Sequence, residues 1–106
     1  MLAANLIDRL HTPDVFLEQL SSTVRAGGIV VLTSPYTWLE NFTAREKWLG
    51  GYLDADGNEV TTFETLKRLL GQHFELLSEQ PMQFLIYEHQ RKFQWSVAHA
   101  TAWRRK

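Results

Sequence analysis

The stretch from Met1 to Thr33 constrains this chain most, because two apolar strand-like runs there are separated by a single capped helix. Met1 to Ile7 is short and apolar, the pattern of a strand buried in a parallel sheet. Thr12-Pro13-Asp14 starts a helix: Thr12 caps it, Pro13 takes the first helical position, and Asp14 sits near the positive end of the dipole. Phe16, Leu17, Leu20 and Val24 follow at helical spacing and form one apolar face. Gly27-Gly28 ends the helix, with Gly27 as the left-handed cap. Ile29 to Thr33 is β-branched and continuous, which suits a strand buried on both faces, and Ser34-Pro35 stops it. Strand, helix and strand in this order make a βαβ unit with a right-handed crossover. The fold class is α/β.

Downstream, Tyr36 to Gly50 reads as a helix whose apolar positions are Trp38, Leu39, Phe42, Trp48 and Leu49. Asp54 to Asn58 is a turn, with Asp56-Gly57 suited to a tight hairpin. It is not a calcium loop, because its glycine stands at the fourth position rather than the sixth. Thr61 and Glu64 form a capping box for a helix carrying Phe63, Leu66, Leu69 and Leu70. Phe74 to Leu77 reads as a strand that Pro81 interrupts, and Phe84 to Gln90 as an irregular connection. From Phe93 to Trp103 the pattern has period two. Aromatic and β-branched residues alternate with alanines, which indicates a final strand with room for close packing on one side.

The rest of the composition excludes more than it suggests. A formal net charge of −1 gives no general attraction to nucleic acid or membranes. The basic tail from Arg91 to Lys106 is interleaved with Ala, Val and Trp, as in a strand with a charged end. There is no cysteine, so disulfides and thiolate metal sites are excluded. His89 and His99 have no ligand partner at helical spacing, so no metal site is expected, and His99 reads as a core histidine. The longest apolar run, Ile29 to Leu32, is far too short to span a bilayer, and the N-terminus lacks the basic segment of a signal peptide. A cytoplasmic location is the expectation. The abrupt apolar start is what a truncated domain would show.

Several runs carry a more specific resemblance. Ala3 to Leu10, Ala26-Gly27-Gly28, Thr33-Ser34-Pro35-Tyr36-Thr37-Trp38-Leu39-Glu40, Trp48 to Gly51, Arg91-Lys92-Phe93-Gln94-Trp95 and Ala100 to Arg104 resemble one family across essentially the whole chain. It is the 4-mercaptohistidine N1-methyltransferase family, which also forms the C-terminal domain of the ovothiol biosynthesis protein. The resemblance implies the C-terminal half of a class I, Rossmann-like, SAM-dependent methyltransferase: a partial, mostly parallel sheet with an antiparallel final strand. It also implies methyl transfer from S-adenosyl-L-methionine to an imidazole nitrogen of 5-thiohistidine, with SAM as the cofactor of the complete domain. Such enzymes grip SAM with a glycine-rich loop after the first strand and an acidic residue after the second. This chain has neither, since its adjacent glycine pairs, Gly27-Gly28 and Gly50-Gly51, end helices.

Ligands of parallel sheets bind beyond the carboxyl ends of the strands. That rule selects Asn5, Asp8 and Arg9 after the first strand, and Ser34, Tyr36 and Trp38 after the second. It also selects the loop leading into the antiparallel final strand, from Phe84 to Lys92. Methyl transfer to nitrogen needs a neutral imidazole held in one tautomer, and Asn5 or Tyr36 supplies that hydrogen bond. Trp38 would line the same site. Arg91 or Lys92 would hold the carboxylate of a histidine derivative, and Glu88 or Asp8 its ammonium. Asp8 and Arg9 also read as an exposed ion pair, and Tyr36 and Trp38 as packing residues.

Two functions follow from these readings. One is part of a small-molecule methyltransferase, inactive alone. The other is a non-catalytic interaction module that pairs through the edge strand Met1–Ile7, either as a homodimer or with an N-terminal half-protein.

Overall fold

The computed structural model describes residues 1–106. It is a mixed α/β structure built on a four-stranded sheet, with strands β1 (Leu2–Ala4), β2 (Ile29–Ser34), β5 (Phe74–His89) and β6 (Lys92–Arg105) in the order β1-β2-β6-β5. A small hairpin, β3 (Tyr52–Leu53) with β4 (Glu59–Val60), stands apart from it. The helices are α1 (Pro13–Thr23) and α2 (Thr62–Leu70), and neither is long and apolar enough to cross a membrane.

The βαβ unit forms as its sequence dictates. β1 runs parallel to β2, with Ala3 opposite Leu32, and α1 makes the crossover. β1 is shorter than its apolar run suggests, because Asn5 turns into the left-handed region (φ 52°) and Ile7–Arg9 coils into a single 3-10 turn. Pro13 opens α1 as expected, but Thr12 makes no side-chain cap bond. The helix ends at Thr23, and Gly27 supplies its positive φ later, in the turn before β2.

One apolar cluster holds the fold together. Leu17 and Leu20 of α1 and Leu66 and Leu70 of α2 pack with Ala3, Val30, Leu32 and Trp103. Alternation along the strands puts these four strand residues on one face of the sheet, so both helices cover that face. Trp103 is 1% exposed and donates its indole N–H to Thr101. On the other face, Leu2, Ala4 and Ile29 remain exposed.

Three sequence expectations need correction. The sheet is mixed: only the β1–β2 pairing is parallel, although β1, β2 and β5 point the same way and β6 alone is reversed. Tyr36 to Gly50 is not a helix but an irregular segment with one 3-10 turn at Arg45–Lys47. Its tryptophans are used as anchors: Trp38 donates to Thr62 Oγ1 at 3.0 Å, Trp48 donates to the Thr43 carbonyl at 2.9 Å, and the Thr43 hydroxyl donates to the Leu10 carbonyl. The bonds from Trp38 and Thr43 reach residues far along the chain and override a helical spacing that has no local cap to enforce it. Finally, Phe84 to Lys92 is not a loop. β5 runs through Pro81 to His89 and turns directly into β6. An edge strand tolerates proline because its outer side has no ladder bond to lose.

The remaining local signals behave as read. Thr61 Oγ1 accepts from the Glu64 N–H at the start of α2, and Gly57 has the positive φ of 81° that the β3–β4 turn needs.

Candidate functional site

The carboxyl ends of β1 and β2 lie side by side, and the segments leaving them are tied together. The Asn5 N–H donates to the Thr33 carbonyl at 2.7 Å, and the Thr33 hydroxyl lies 3.5 Å from Asn5 Oδ1. One turn later the Asp8 carboxylate accepts the Thr37 N–H at 3.1 Å, while Arg9 donates to the Thr37 carbonyl at 3.2 Å. Asp8 is 1% exposed, whereas Arg9, 3.7 Å away, is exposed as expected, so a buried carboxylate is clamped to Thr37 with its ion-pair partner at the surface.

This clamp holds Tyr36 in an uncommon shape. Tyr36 has φ 57°, and its N–H folds back onto Ser34 Oγ at 3.0 Å. Asn5 and Tyr36 are the two residues other than glycine with positive φ. Such conformations cost roughly 1–2 kcal/mol and gather at functional sites.

The Tyr36 side chain begins a chain of hydrogen bonds. Its hydroxyl lies 2.7 Å from His99 Nδ1, and His99 Nε2 lies 2.8 Å from Glu79 Oε2. Burial, and then the negative charge of Glu79, push the Tyr36 pKa well above the usual tyrosine range. A protonated phenol donates to Nδ1 when His99 is the neutral Nε2–H tautomer, which in turn donates to the Glu79 carboxylate. Phe63 of α2 meets the His99 ring edge to face at 4.8 Å, which fixes the imidazole between sheet and helix. Sequence reasoning assigned His99 to the core and did not select Glu79. The two meet only through the antiparallel register of β5 with β6, in which Glu79 stands opposite Thr101 and Pro81 opposite His99.

The other selected residues lie elsewhere. Trp38 is buried against the start of α2. Glu88, Arg91 and Lys92 are exposed at the turn between β5 and β6, where Lys92 pairs with Glu88 at 3.2 Å. Lys92 and His99 are seven residue steps apart along β6, roughly 23 Å of extended chain, so these three are not brought together with Asn5, Asp8 and Tyr36.

No trio of His, Cys, Asp or Glu is placed to hold a metal ion. A groove of about 280 Å3 between α1 and α2, lined by Ser21, Arg68 and Phe74 among others, opens at the amino end of β5, away from the site. The residues at the site do not fit SAM. The loop after β1 contains no glycine, and β2 is followed by Pro35-Tyr36-Thr37 rather than by an acidic ribose acceptor. Neither the protein-family models nor the curated proteins compared with this chain gave a match.

Proposed function

We propose that this chain carries the methyl-acceptor side of a SAM-dependent N-methyltransferase for a small histidine derivative, 5-thiohistidine, and that the residues gripping SAM belong to polypeptide outside it. The observation that carries the reading is the pairing of Asn5 and Tyr36, two left-handed residues at the carboxyl ends of adjacent parallel strands. The sheet order β1-β2-β6-β5, with β6 alone reversed, supports it as well, being compatible with the C-terminal half of a Rossmann-like domain.

Tyr36 has a defined task in this reading. Its proton is committed to His99, which leaves the phenol oxygen free to accept a hydrogen bond from an imidazole N–H. An imidazole held that way presents its other nitrogen unprotonated, and that nitrogen is the nucleophile. The amide of Asn5 can take the polar end of the same ligand.

Isothermal calorimetry with 5-thiohistidine and with SAM tests the reading. Binding of 5-thiohistidine, weakened by Tyr36→Phe, together with no SAM binding, is expected. Micromolar SAM binding by the monomeric chain would overturn the division of labour, and 5-thiohistidine binding indifferent to Tyr36 would overturn the acceptor site.

One observation favours a second reading, a non-catalytic module that pairs through β1. Leu2 is 68% exposed on an edge strand, which suits pairing with a homodimer partner or an N-terminal half. Association abolished by Leu2→Lys is its signature.

A further inference from the structure

The Tyr36 hydroxyl has one proton to place and two directions in which to place it. At 2.7 Å from His99 Nδ1 the bond between the two side chains can run either way: the phenol donates to a bare Nδ1, or a protonated Nδ1 donates to the phenol oxygen. The imidazole decides between them, because burial and Glu79 hold the Tyr36 proton in place far above neutral pH.

His99 is placed to take up a second proton. Its Nε2 lies 2.8 Å from Glu79 Oε2, so protonation completes an ion pair with neither group having to move. The His99 side chain is 23% exposed and that of Glu79 about half, so water reaches the pair. Phe63, edge to face at 4.8 Å, holds the plane of the ring. The charged and titratable groups around it are Glu79 from β5, Tyr36 from the segment after β2, and Lys67 of α2, whose ammonium sits over the Phe63 ring at 4.5 Å. On β6 itself the same-face neighbours, Val97 and Thr101, are uncharged. Histidine is the side chain that changes charge between about pH 5 and 8.

The two protonation states give Tyr36 opposite hydrogen-bonding characters. With His99 neutral, the phenol proton points at Nδ1 and the oxygen offers a lone pair to a ligand. With His99 protonated, Nδ1–H occupies that lone pair, the phenol proton turns outward, and the hydroxyl donates to the ligand instead.

We infer, on the acceptor-site reading, that His99 is a specificity-determining residue acting through Tyr36: neutral, it makes the site select a ligand ring that presents an N–H, and protonated, a ring that presents a bare acceptor nitrogen. An imidazole is then held in opposite senses on the two sides of the His99 transition. On the alkaline side its N–H meets Tyr36 and its bare nitrogen is left to react. On the acid side the bare nitrogen is bound to Tyr36 and the N–H, which is no nucleophile, faces away.

Isothermal calorimetry on the intact chain tests this with two histidine isosteres whose rings do not titrate in that range: pyrrolylalanine, which has a ring N–H and no ring acceptor, and thiazolylalanine, which has a ring acceptor and no N–H. At about pH 8 the pyrrole should bind about fivefold tighter than the thiazole, and at about pH 5 the order should invert. Tyr36→Phe should show no inversion, and Glu79→Gln, which removes the ion-pair partner, should move the crossover to lower pH. Proton–nitrogen correlation spectra of the histidine rings should show His99 Nδ1 bare at the upper pH and protonated at the lower. If 5-thiohistidine does not bind at all, the acceptor-site reading falls and the inference with it. If it binds, but the order of the isosteres never inverts, or inverts in Tyr36→Phe as well, or Nδ1 carries a proton at the upper pH, the inference alone is overturned.

Discussion

Asn5 and Tyr36 share a left-handed backbone, φ 52° and 57°, at the ends of two strands that run side by side in the same direction. The strain is tolerable because each is held by its neighbours: Asn5 by Thr33, and Tyr36 by Ser34 and by the clamp between Asp8 and Thr37. Asparagine accepts this conformation better than most residues, and glycine better still. Asn5→Gly should therefore unfold in urea within about 0.5 kcal/mol of the wild type, whereas Asn5→Val should lose about 1–2 kcal/mol.

The hydrogen-bond chain from Tyr36 makes stability depend on alkaline pH. In the unfolded chain Tyr36 ionises at about pH 10, while in the fold burial and Glu79 hold its proton to higher pH. The unfolded state then binds fewer protons, so this contribution is complete below about pH 10 and is lost as pH rises through the folded pKa. The urea midpoint of the wild type should fall more steeply above about pH 10 than that of Tyr36→Phe. Equal slopes would mean that Tyr36 ionises freely in the fold.

Asp8 is treated by the structure as a structural acceptor. Removing its carboxylate in Asp8→Ala leaves the Thr37 N–H without that partner in a nearly closed environment, at a cost of about 1–3 kcal/mol. Asp8→Asn keeps an oxygen acceptor and should cost less. Chemical denaturation of the two variants gives the comparison, and an equal loss in both would indicate that charge rather than the hydrogen bond matters.

Gly50 sits where the irregular segment meets the start of α2. A Cβ there would stand 2.3 Å from the Thr62 backbone nitrogen, closer than any packing allows. Gly50→Ala should destabilise the chain by several kcal/mol, roughly the range of severe overpacking. The shift in thermal midpoint reads this directly.

Some of this architecture was legible in the sequence because its signals are local. Pro13, the apolar face of α1 and the β-branched run of β2 define the βαβ unit without outside help, and Thr61 with Glu64 marks α2 in the same way. Asn5 and Tyr36 were reachable because the topology rule needs only that unit. What escaped depends on contacts distant in sequence. Trp38, Leu39, Phe42, Trp48 and Leu49 suggest a helix, but Trp38 is tied to Thr62, Thr43 to Leu10 and Trp48 to the Thr43 carbonyl, so the segment winds irregularly. Pro81 reads as a breaker until β5 is known to be an edge strand. His99 and Glu79, 20 residues apart in sequence, become neighbours only once the β5–β6 register exists.

If the carboxyl ends of β1 and β2 form an acceptor site without a grip on the methyl donor, the two ligands must differ at that site. Amide chemical-shift mapping by NMR, with 5-thiohistidine and then SAM added to the same sample, tests it most directly. Shifts at Asn5, Tyr36, Thr37 and His99 are expected with 5-thiohistidine, and none with SAM. Shifts confined to the groove between α1 and α2, or saturable shifts at these four residues with SAM alone, would contradict it.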